Sequence, residues 1–334
     1  MVKNSMRIKV ALIMLPLLTS LIVWVFGRYQ LSPSEVIKII FDWISGNPNI
    51  DKQGYLVVVS IRLARIILAL LVGMGLSVAG VAFQSLFSNP LTTPDILGVS
   101  SGAAFGAALA ILLDCNSSMI QVMALTFGII AVILTMIIAK INGSSATIML
   151  ILSGIVVTSV FNALLSGIKF VADPQSKLPA ISFWLMGSMN NASFRSIAFY
   201  SPAIIAGTII IYILRWKLNI LSLSEDEAKA MGINLKLFKS MIIVASTLIT
   251  ASCVALCGII GWVGLLVPHI CRIVFGVNTK IIVPASISFG ATFLLLVDTL
   301  SRTLLTSELP LGILCSLLGA PIFIMLLRKS KGEL

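Results

Sequence analysis

Long runs of apolar residues without charge recur along the whole chain, and they restrict its fold more than any other feature. A helical run of about 20 such residues crosses a hydrocarbon core of about 30 Å. Inside that core only helices and closed barrels satisfy their backbone polar groups. The 334 residues are 58% hydrophobic and 10% charged, unlike those of soluble domains. The sequence therefore predicts an all-α polytopic membrane protein with one domain, residues 1–334.

Ten membrane-spanning helices are predicted from these runs. They cover residues 9–27, 62–86, 95–113, 119–139, 146–168, 196–214, 238–257, 258–275, 281–301 and 310–327. The seventh and eighth are separated only by "CGIIGWVG", whose glycines indicate a break. Two longer segments, residues 28–61 and 169–195, are predicted to carry short helices at the outer surface.

The distribution of basic residues predicts the orientation of the chain. Fourteen of the 23 Lys and Arg residues fall on the side of the N-terminus. Because cytoplasmic loops carry the excess of Lys and Arg, both termini are predicted to be cytoplasmic. Membrane topology also explains the net charge of +11 better than a nucleic-acid partner does. The basic residues lie between apolar runs and form no polar face that could bind nucleic acid. The basic N-terminus lacks a small-residue cleavage site and is predicted to be an uncleaved first span.

The stretch "SLSEDEAKAMGI" predicts a short capped helix on the cytoplasmic side. Ser224 and Glu227 have the spacing of a capping box. Glu225 and Asp226 fall in the first turn, where carboxylates favour the helix dipole, and Gly232 ends the helix. A helix of two turns needs a partner surface. That surface is either its own bundle or a cytoplasmic protein.

Three arginines are predicted near the outer ends of spans two and nine. Arg62 and Arg65 have i, i+3 spacing and therefore share a helix side. Two interpretations stay open: the guanidinium groups reach lipid headgroups, or they bind carboxylates of a protein arriving from outside. Asp298 lies four residues before Arg302, a spacing that pairs the two side chains and leaves part of Arg302 available outward.

Small residues and missing motifs narrow the function further. Gly98, Gly102 and Gly106 predict close helix packing by span three. No phosphate-binding loop of the G-x-x-x-x-G-K-[ST] type occurs, and no metal or cofactor site is predicted. His269 is isolated and is predicted to be a hydrogen-bonded structural residue.

Three classes of function compete at this point. A membrane enzyme lacks a catalytic constellation. An ion-coupled secondary transporter would carry ionisable residues near mid-membrane, and the predicted span centres have almost none. A pathway driven by an external motor accounts for the outer arginines, the small-residue packing and the capped inner helix together.

Several long motifs, in order, carry a resemblance to one family. They are "IRLARIILALLVGMGLSVAGVAFQSLFSNPLTTPDILGVSSGAAFGA", "ISFWLMGSM", "EDEAKAMGI", "GWVGLLVPHICRIVFG", "VPASISFGATFLLLVDTLSR" and "ELPLGILCSLLGAPIFIMLL". The chain resembles the FecCD-type permeases of ATP-binding-cassette importers, which take up iron chelates, haem, cobalamin and, in some members, molybdate. Ala64 departs from the family, which commonly has proline there.

The resemblance implies a type II importer permease fold in a prokaryotic cytoplasmic membrane. It implies a dimer with a second copy or a related permease, two cytoplasmic ATPase subunits that hydrolyse the ATP, an extracytoplasmic substrate-binding protein and surrounding membrane lipid. The expected cargo is a metal chelate, first a ferric siderophore, with haem, cobalamin or molybdate as alternatives.

The resemblance also assigns roles to residues of this chain. Docking of the binding protein falls on Arg62, Arg65 and Arg302. Coupling to the ATPase falls on the helix at about 222–233, through Ser224, Glu225, Asp226, Glu227, Ala228, Met231 and Gly232. The inner gate of the path falls on Asn89, Leu91 and Thr147.

Overall fold

The computed structural model describes residues 2–47, 51–140, 147–222, 227 and 234–329, and within them the chain is helical without strands. The helices are α1 Val2–Val25, α2 Pro33–Ser45, α3 Lys52–Leu86, α4 Val99–Leu112, α5 Ser117–Lys140, α6 Thr147–Val171, α7 Lys177–Leu185, α8 Phe194–Leu214, α9 Leu235–Cys257, α10 Val263–Phe275, α11 Thr279–Thr303 and α12 Leu311–Lys329. Each of the ten predicted spans overlaps one of them. The helices α2 and α7 are the short ones predicted in the two outer segments.

Seven of these helices are long and apolar enough to cross a membrane. The other three predicted spans are shorter apolar helices, Val99–Leu112, Val263–Phe275 and the apolar part of α12, Leu311–Leu326. At 1.5 Å per residue, α10 with its 13 residues reaches only about 20 Å. Irregular backbone therefore completes the crossing of the shorter helices.

That irregular backbone is concentrated at one junction, where three chain segments bond to each other. The amide of Ser188 donates to the carbonyl of Cys257 at 2.7 Å, joining the end of α7 to the end of α9. The amides of Leu311 and Gly312 donate to the carbonyls of Gly187 and Met186. Non-helical backbone is tolerated at membrane depth only when such partners satisfy it. The junction thus gives the end of α9 and the start of α12 hydrogen-bond partners outside their own helices.

Helix α3 lies at the centre of the molecule and packs against α8, α9, α10 and α11. Two of these crossings depend on glycines. A Cβ atom at Gly80 would collide with the carbonyl of Gly264 on α10, and one at Gly73 would collide with the carbonyl of Gly290 on α11. Small residues therefore let the central helix touch its neighbours' backbones.

The helices α4, α5 and α6 form a flanking group that α9 joins to the centre. The predicted glycine packing is confirmed for Gly102 and Gly106, whose Cβ positions are occupied by carbonyls of Phe127 and Met123 on α5. Gly98 has a different role. Its φ of 85° ends a 3₁₀ turn just before α4 begins, a conformation that glycine adopts without strain.

Helix α3 begins ten residues earlier than the predicted second span, and the prediction was wrong there. Its first part includes a π-helical stretch, Leu56–Leu63, which contains Arg62. The charges of Arg62 and Arg65 suggested the edge of the membrane in the sequence. The helix passes through them because partners inside the protein satisfy both side chains.

Candidate functional site

Five charged residues form a cluster: Arg62, Arg65, Asp298, Arg302 and Glu308. We call it the outer charge cluster, after the side on which the sequence predicts it. Asp298 lies at its centre and is fully buried. One carboxylate oxygen accepts from Arg65 Nη2 at 2.6 Å and from Arg65 Nε at 3.2 Å. The other accepts from Arg302 Nε at 3.2 Å, which confirms the predicted i, i+4 pair.

Arg65 is the member of the cluster that links its buried part to the surface. Its Nη1 donates to both carboxylate oxygens of Glu308, at 2.9 and 3.0 Å, and to Asn190 Oδ1 at 3.2 Å. The side chain of Arg65 is 7% exposed, whereas that of Glu308 is 22% exposed. Solvent therefore reaches this pair from the side of Glu308.

Arg62 closes the end of α1 and makes no ion pair with a described carboxylate. Its Nη1 donates to the carbonyls of Trp24 and Val25 at 3.0 Å, and its Nη2 donates to the carbonyl of Tyr29 at 2.6 Å. The last carbonyls of a helix lack partners within it, and a guanidinium group is well suited to bind them. Arg302 contributes in the same way by donating to the carbonyl of Phe26 at 2.9 Å.

The structure thus brings the three arginines predicted for docking into one cluster, but it buries them. Arg62, Arg65 and Arg302 are 2%, 6% and 5% exposed. Their docking role stays a prediction, and the cluster also has a structural role in joining α1, α3 and α11. Sequence reasoning gave no role to Glu308 or Asn190. The signal for Glu308 was its position in the "ELPLG" motif, next to the end of span nine.

The predicted gate residues lie at the opposite end of α3. Asn89 and Leu91 are exposed in the loop that follows this helix, and the Asn89 side chain accepts from the amide of Leu91 at 2.9 Å. Thr147 is the first residue of α6. Helix α6 packs on the same connection, because a Cβ atom at Gly154 would collide with the carbonyl of Ile96. The three residues therefore belong to two elements that touch.

Most of the predicted coupling helix lies outside the described residues: Ser224, Glu225, Asp226, Ala228, Met231 and Gly232. Glu227 is described, and it is helical and exposed. The 3₁₀ helix that leads into this segment, Lys217–Ser222, is well anchored. The side chain of Asn219 accepts from the amide of Thr279 at 3.0 Å, and the carbonyl of Leu221 accepts from Ser88 Oγ at 3.3 Å. The segment is thereby linked both to α11 and to the loop of Asn89.

The lone histidine and the cysteines complete the inventory of reactive side chains. Neither ring nitrogen of His269 has a hydrogen-bond partner in the part of the chain described, so the predicted hydrogen bond is not found there. The ring instead lies 5.4 Å from that of Phe323. The cysteines are all free thiols; Cys115 is half-buried and the others are buried, namely Cys253, Cys257, Cys271 and Cys315.

Comparison with known proteins gives consistent relatives over nearly the whole chain. Residues 12–329 match the FecCD transport family. The molybdate import system permease protein MolB of Haemophilus influenzae is 37% identical over 326 residues, 97% of this chain and 96% of that protein. A probable iron chelatin transport system permease protein of Helicobacter pylori is 40% identical over 277 residues, 83% of this chain and 84% of that protein.

A solved structure agrees with these relatives. A metal-chelate type ABC transporter in an inward-facing conformation superposes with a TM-score of 0.86 at 37% identity, covering 97% of this chain and 99% of that one. Family, relatives and fold coincide over the same residues. The chain therefore belongs to the FecCD transport family.

Proposed function

We propose that this chain is the transmembrane permease subunit of a binding-protein-dependent ABC importer that carries a metal chelate, most simply a ferric siderophore. The observation that carries the proposal is the superposition with a metal-chelate type ABC transporter over 97% of the chain. The seven long apolar helices support a multi-pass membrane protein, which we place in the cytoplasmic membrane. The sequence has no phosphate-binding loop of the Walker type, so ATP hydrolysis is assigned to a separate pair of ATPase subunits.

The proposed mechanism uses the two ends of α3. A loaded binding protein docks on the outer charge cluster, and the cargo enters a path between this chain and a second permease copy. ATP binding and hydrolysis bias two packings of the permease through the coupling helix at 222–233. The anchoring of Lys217–Ser222 to α11 and to the loop of Asn89 supports this route from the ATPase to the gate. No bond of the cargo is broken.

Docking requires Arg65 to exchange partners. In the chain alone, its outward nitrogen is bound to Glu308. A carboxylate of the binding protein would therefore take the place of Glu308, which lies in the segment between α11 and α12 and is partly exposed. Arg62 and Arg302 then act mainly by holding α1 and α11 in position beneath the docking surface.

The choice of cargo rests on the uncharged exposed face of α6. Ile148, Leu152, Ile155, Val156 and Val160 are all more than half exposed. We place this face on the path between the two permease copies, where it suits a bulky chelate that is handled without tight binding, and the iron chelatin relative agrees with this choice. Molybdate is the second candidate, because the Haemophilus relative named for it covers 97% of the chain. Haem and cobalamin are further alternatives within the same machinery.

Reconstitution with the partner subunits tests the proposal. The permease, its ATPase and its binding protein are placed in liposomes, and uptake of a ferric siderophore, haem, cobalamin and molybdate is measured with and without ATP. We expect ATP-dependent uptake of the siderophore. Uptake of molybdate alone would move the assignment to the second candidate. Uptake driven by an ion gradient without ATP would contradict the importer and favour the secondary transporter.

A further inference from the structure

A groove with a basic mouth lies at the end of the molecule that carries the N-terminus of α1. It is formed by α1, the end of α8 and the start of α11, and it has a volume of about 750 Å³. We call it the basic groove. Among the residues that the structure describes, none of the outer cluster, gate or coupling residues lines it.

The walls of the basic groove are apolar. Helix α1 contributes Leu12, Ile13, Pro16 and Leu17, which recur at helical spacing on one side. Ile13 and Leu17 are 63% and 54% exposed, so the groove opens sideways from a surface that is itself apolar. Such a surface in a membrane protein faces lipid chains, which makes the groove accessible from within the bilayer.

The floor of the groove is a stripe of α11. Lys280, Pro284 and Ser288 line it at four-residue intervals. Ser288 is 3% exposed, and its hydroxyl has no hydrogen-bond partner among the described residues. A buried hydroxyl is normally paired. This one is available to an oxygen atom of a bound molecule.

Three cations surround the mouth: Lys9, Arg215 and Lys280. They share one level, because α11 begins there, α8 ends there and Lys9 belongs to the first turns of α1. None of them has an ion pair with a carboxylate in the described residues. Arg215 donates one N–H to the carbonyl of Tyr212 and lies 4.0 Å over its ring. Its remaining donors are left for a ligand.

We propose that the basic groove binds one anionic phospholipid, with the phosphate among Lys9, Arg215 and Lys280 and the acyl chains along α1 and α11. Basic pockets between membrane helices on the cytoplasmic side bind anionic headgroups in this way. The charge count of the sequence predicts that this end is cytoplasmic. Apolar walls beside three cations fit an amphiphile better than a soluble anion. The inference does not depend on the cargo or on the docking site.

Lipid binding can be measured by native mass spectrometry of the purified transporter with its ATPase. Dipalmitoyl phosphatidylglycerol and dipalmitoyl phosphatidylcholine are titrated separately. We expect the phosphatidylglycerol to bind at least tenfold more tightly. The triple variant Lys9→Gln, Arg215→Gln, Lys280→Gln should weaken it by about two orders of magnitude, from roughly fivefold per cation near a membrane surface. Affinity for phosphatidylcholine should stay unchanged.

A matched variant removes three other exposed cations from the same side: Lys140→Gln, Lys236→Gln, Arg328→Gln. It should keep the affinity of the wild type. Equal binding of both lipids by the wild type, or equal loss in the two triple variants, would overturn the proposal. So would displacement of the lipid by millimolar inorganic phosphate, because that result identifies an anion site. If the first triple variant does not fold, the single variant Lys280→Gln tests the proposal instead. Its affinity for phosphatidylglycerol should be about fivefold lower than that of the wild type.

Discussion

Asp298 forms ion pairs with two arginines at once, Arg65 and Arg302, and its carboxylate offsets part of their positive charge. Two guanidinium groups, those of Arg65 and Arg302, face the carboxylates of Asp298 and Glu308. A buried charge is tolerated only when it is paired. These two pairs of charges cancel, and the third arginine of the cluster, Arg62, is satisfied by backbone carbonyls instead.

Replacing Asp298 with Asn should destabilise the protein strongly. The change removes the carboxylate shared by two buried arginines, and breaking such a pair costs about 3–5 kcal/mol. The apparent melting temperature in detergent is the measurement. Glu308→Gln is the control, because that side chain is partly exposed and Arg65 keeps Asp298. Equal melting temperatures for Asp298→Asn and the wild type would contradict the buried cluster.

Glu308→Gln should instead affect docking. The substitution frees the outward nitrogen of Arg65, so the affinity of the binding protein should rise about two- to fivefold at low salt, as for a partly exposed charge pair. Binding to the transporter in nanodiscs is measured at several salt concentrations. Asp114→Asn removes another outer carboxylate, whose side chain is 83% exposed, and serves as the control for net charge. An equal rise in both variants would attribute the effect to general electrostatics.

The ends of the membrane-spanning helices were predicted well from the sequence where charged residues or glycines mark them. The ends of spans six and ten lie within two residues of the ends of α8 and α12. The start of α3 was missed because burial of Arg62 and Arg65 depends on partners 33 to 243 residues away. A pattern of neighbouring residues in the sequence cannot indicate partners that are so far away along the chain. The same limit explains Glu308 and Asn190, which acquire their roles only when α11 and the segment after α7 meet α3.

The close crossing of α3 and α10 at Gly80 can be tested by adding a side chain at that position. Gly80→Val places a branched side chain against the carbonyl of Gly264 and should reduce the yield of folded protein, with a cost of about 1–3 kcal/mol or more. Gly167→Val on α6 is the control, since nothing lies within 4 Å of its Cβ position. Both changes introduce the same β-branched residue into a helix. Size-exclusion chromatography after extraction measures the folded fraction, and equal fractions would rule out the close crossing.

The orientation of the whole molecule can be tested with a native thiol. Cys115 lies between α4 and α5 and is half-buried, whereas the other four cysteines are buried. The charge count places this loop outside. A membrane-impermeant maleimide should therefore label intact cells that produce the protein, and Cys115→Ser should abolish the label. Labelling only after the membrane is permeabilised would reverse the predicted orientation.

Coupling to the ATPase is a property of the assembled transporter. Glu227→Lys and Gly232→Trp should each lower transport at least tenfold while ATP hydrolysis and assembly continue, because the helix that the sequence predicts here would lose its caps and its fit to the partner surface. Uptake and phosphate release are measured on the same liposomes. Lys236→Gln, an exposed change just after the segment, is the control. Normal uptake by both variants would return the helix to a connector that lies on its own bundle.

The pairing of Arg65 with Asp298 also has a consequence for the order of events during synthesis and membrane insertion. The two residues are 233 positions apart, and Glu308 follows 243 positions after Arg65. Ribosomes add about 5–20 residues per second, so Arg65 exists for roughly 10–50 s before its first carboxylate has been made. During that interval a lone guanidinium group is costly inside the bilayer. The nascent α3 must therefore wait with its outer end at the membrane surface or against the insertion machinery, and it reaches its final depth only after α11 arrives.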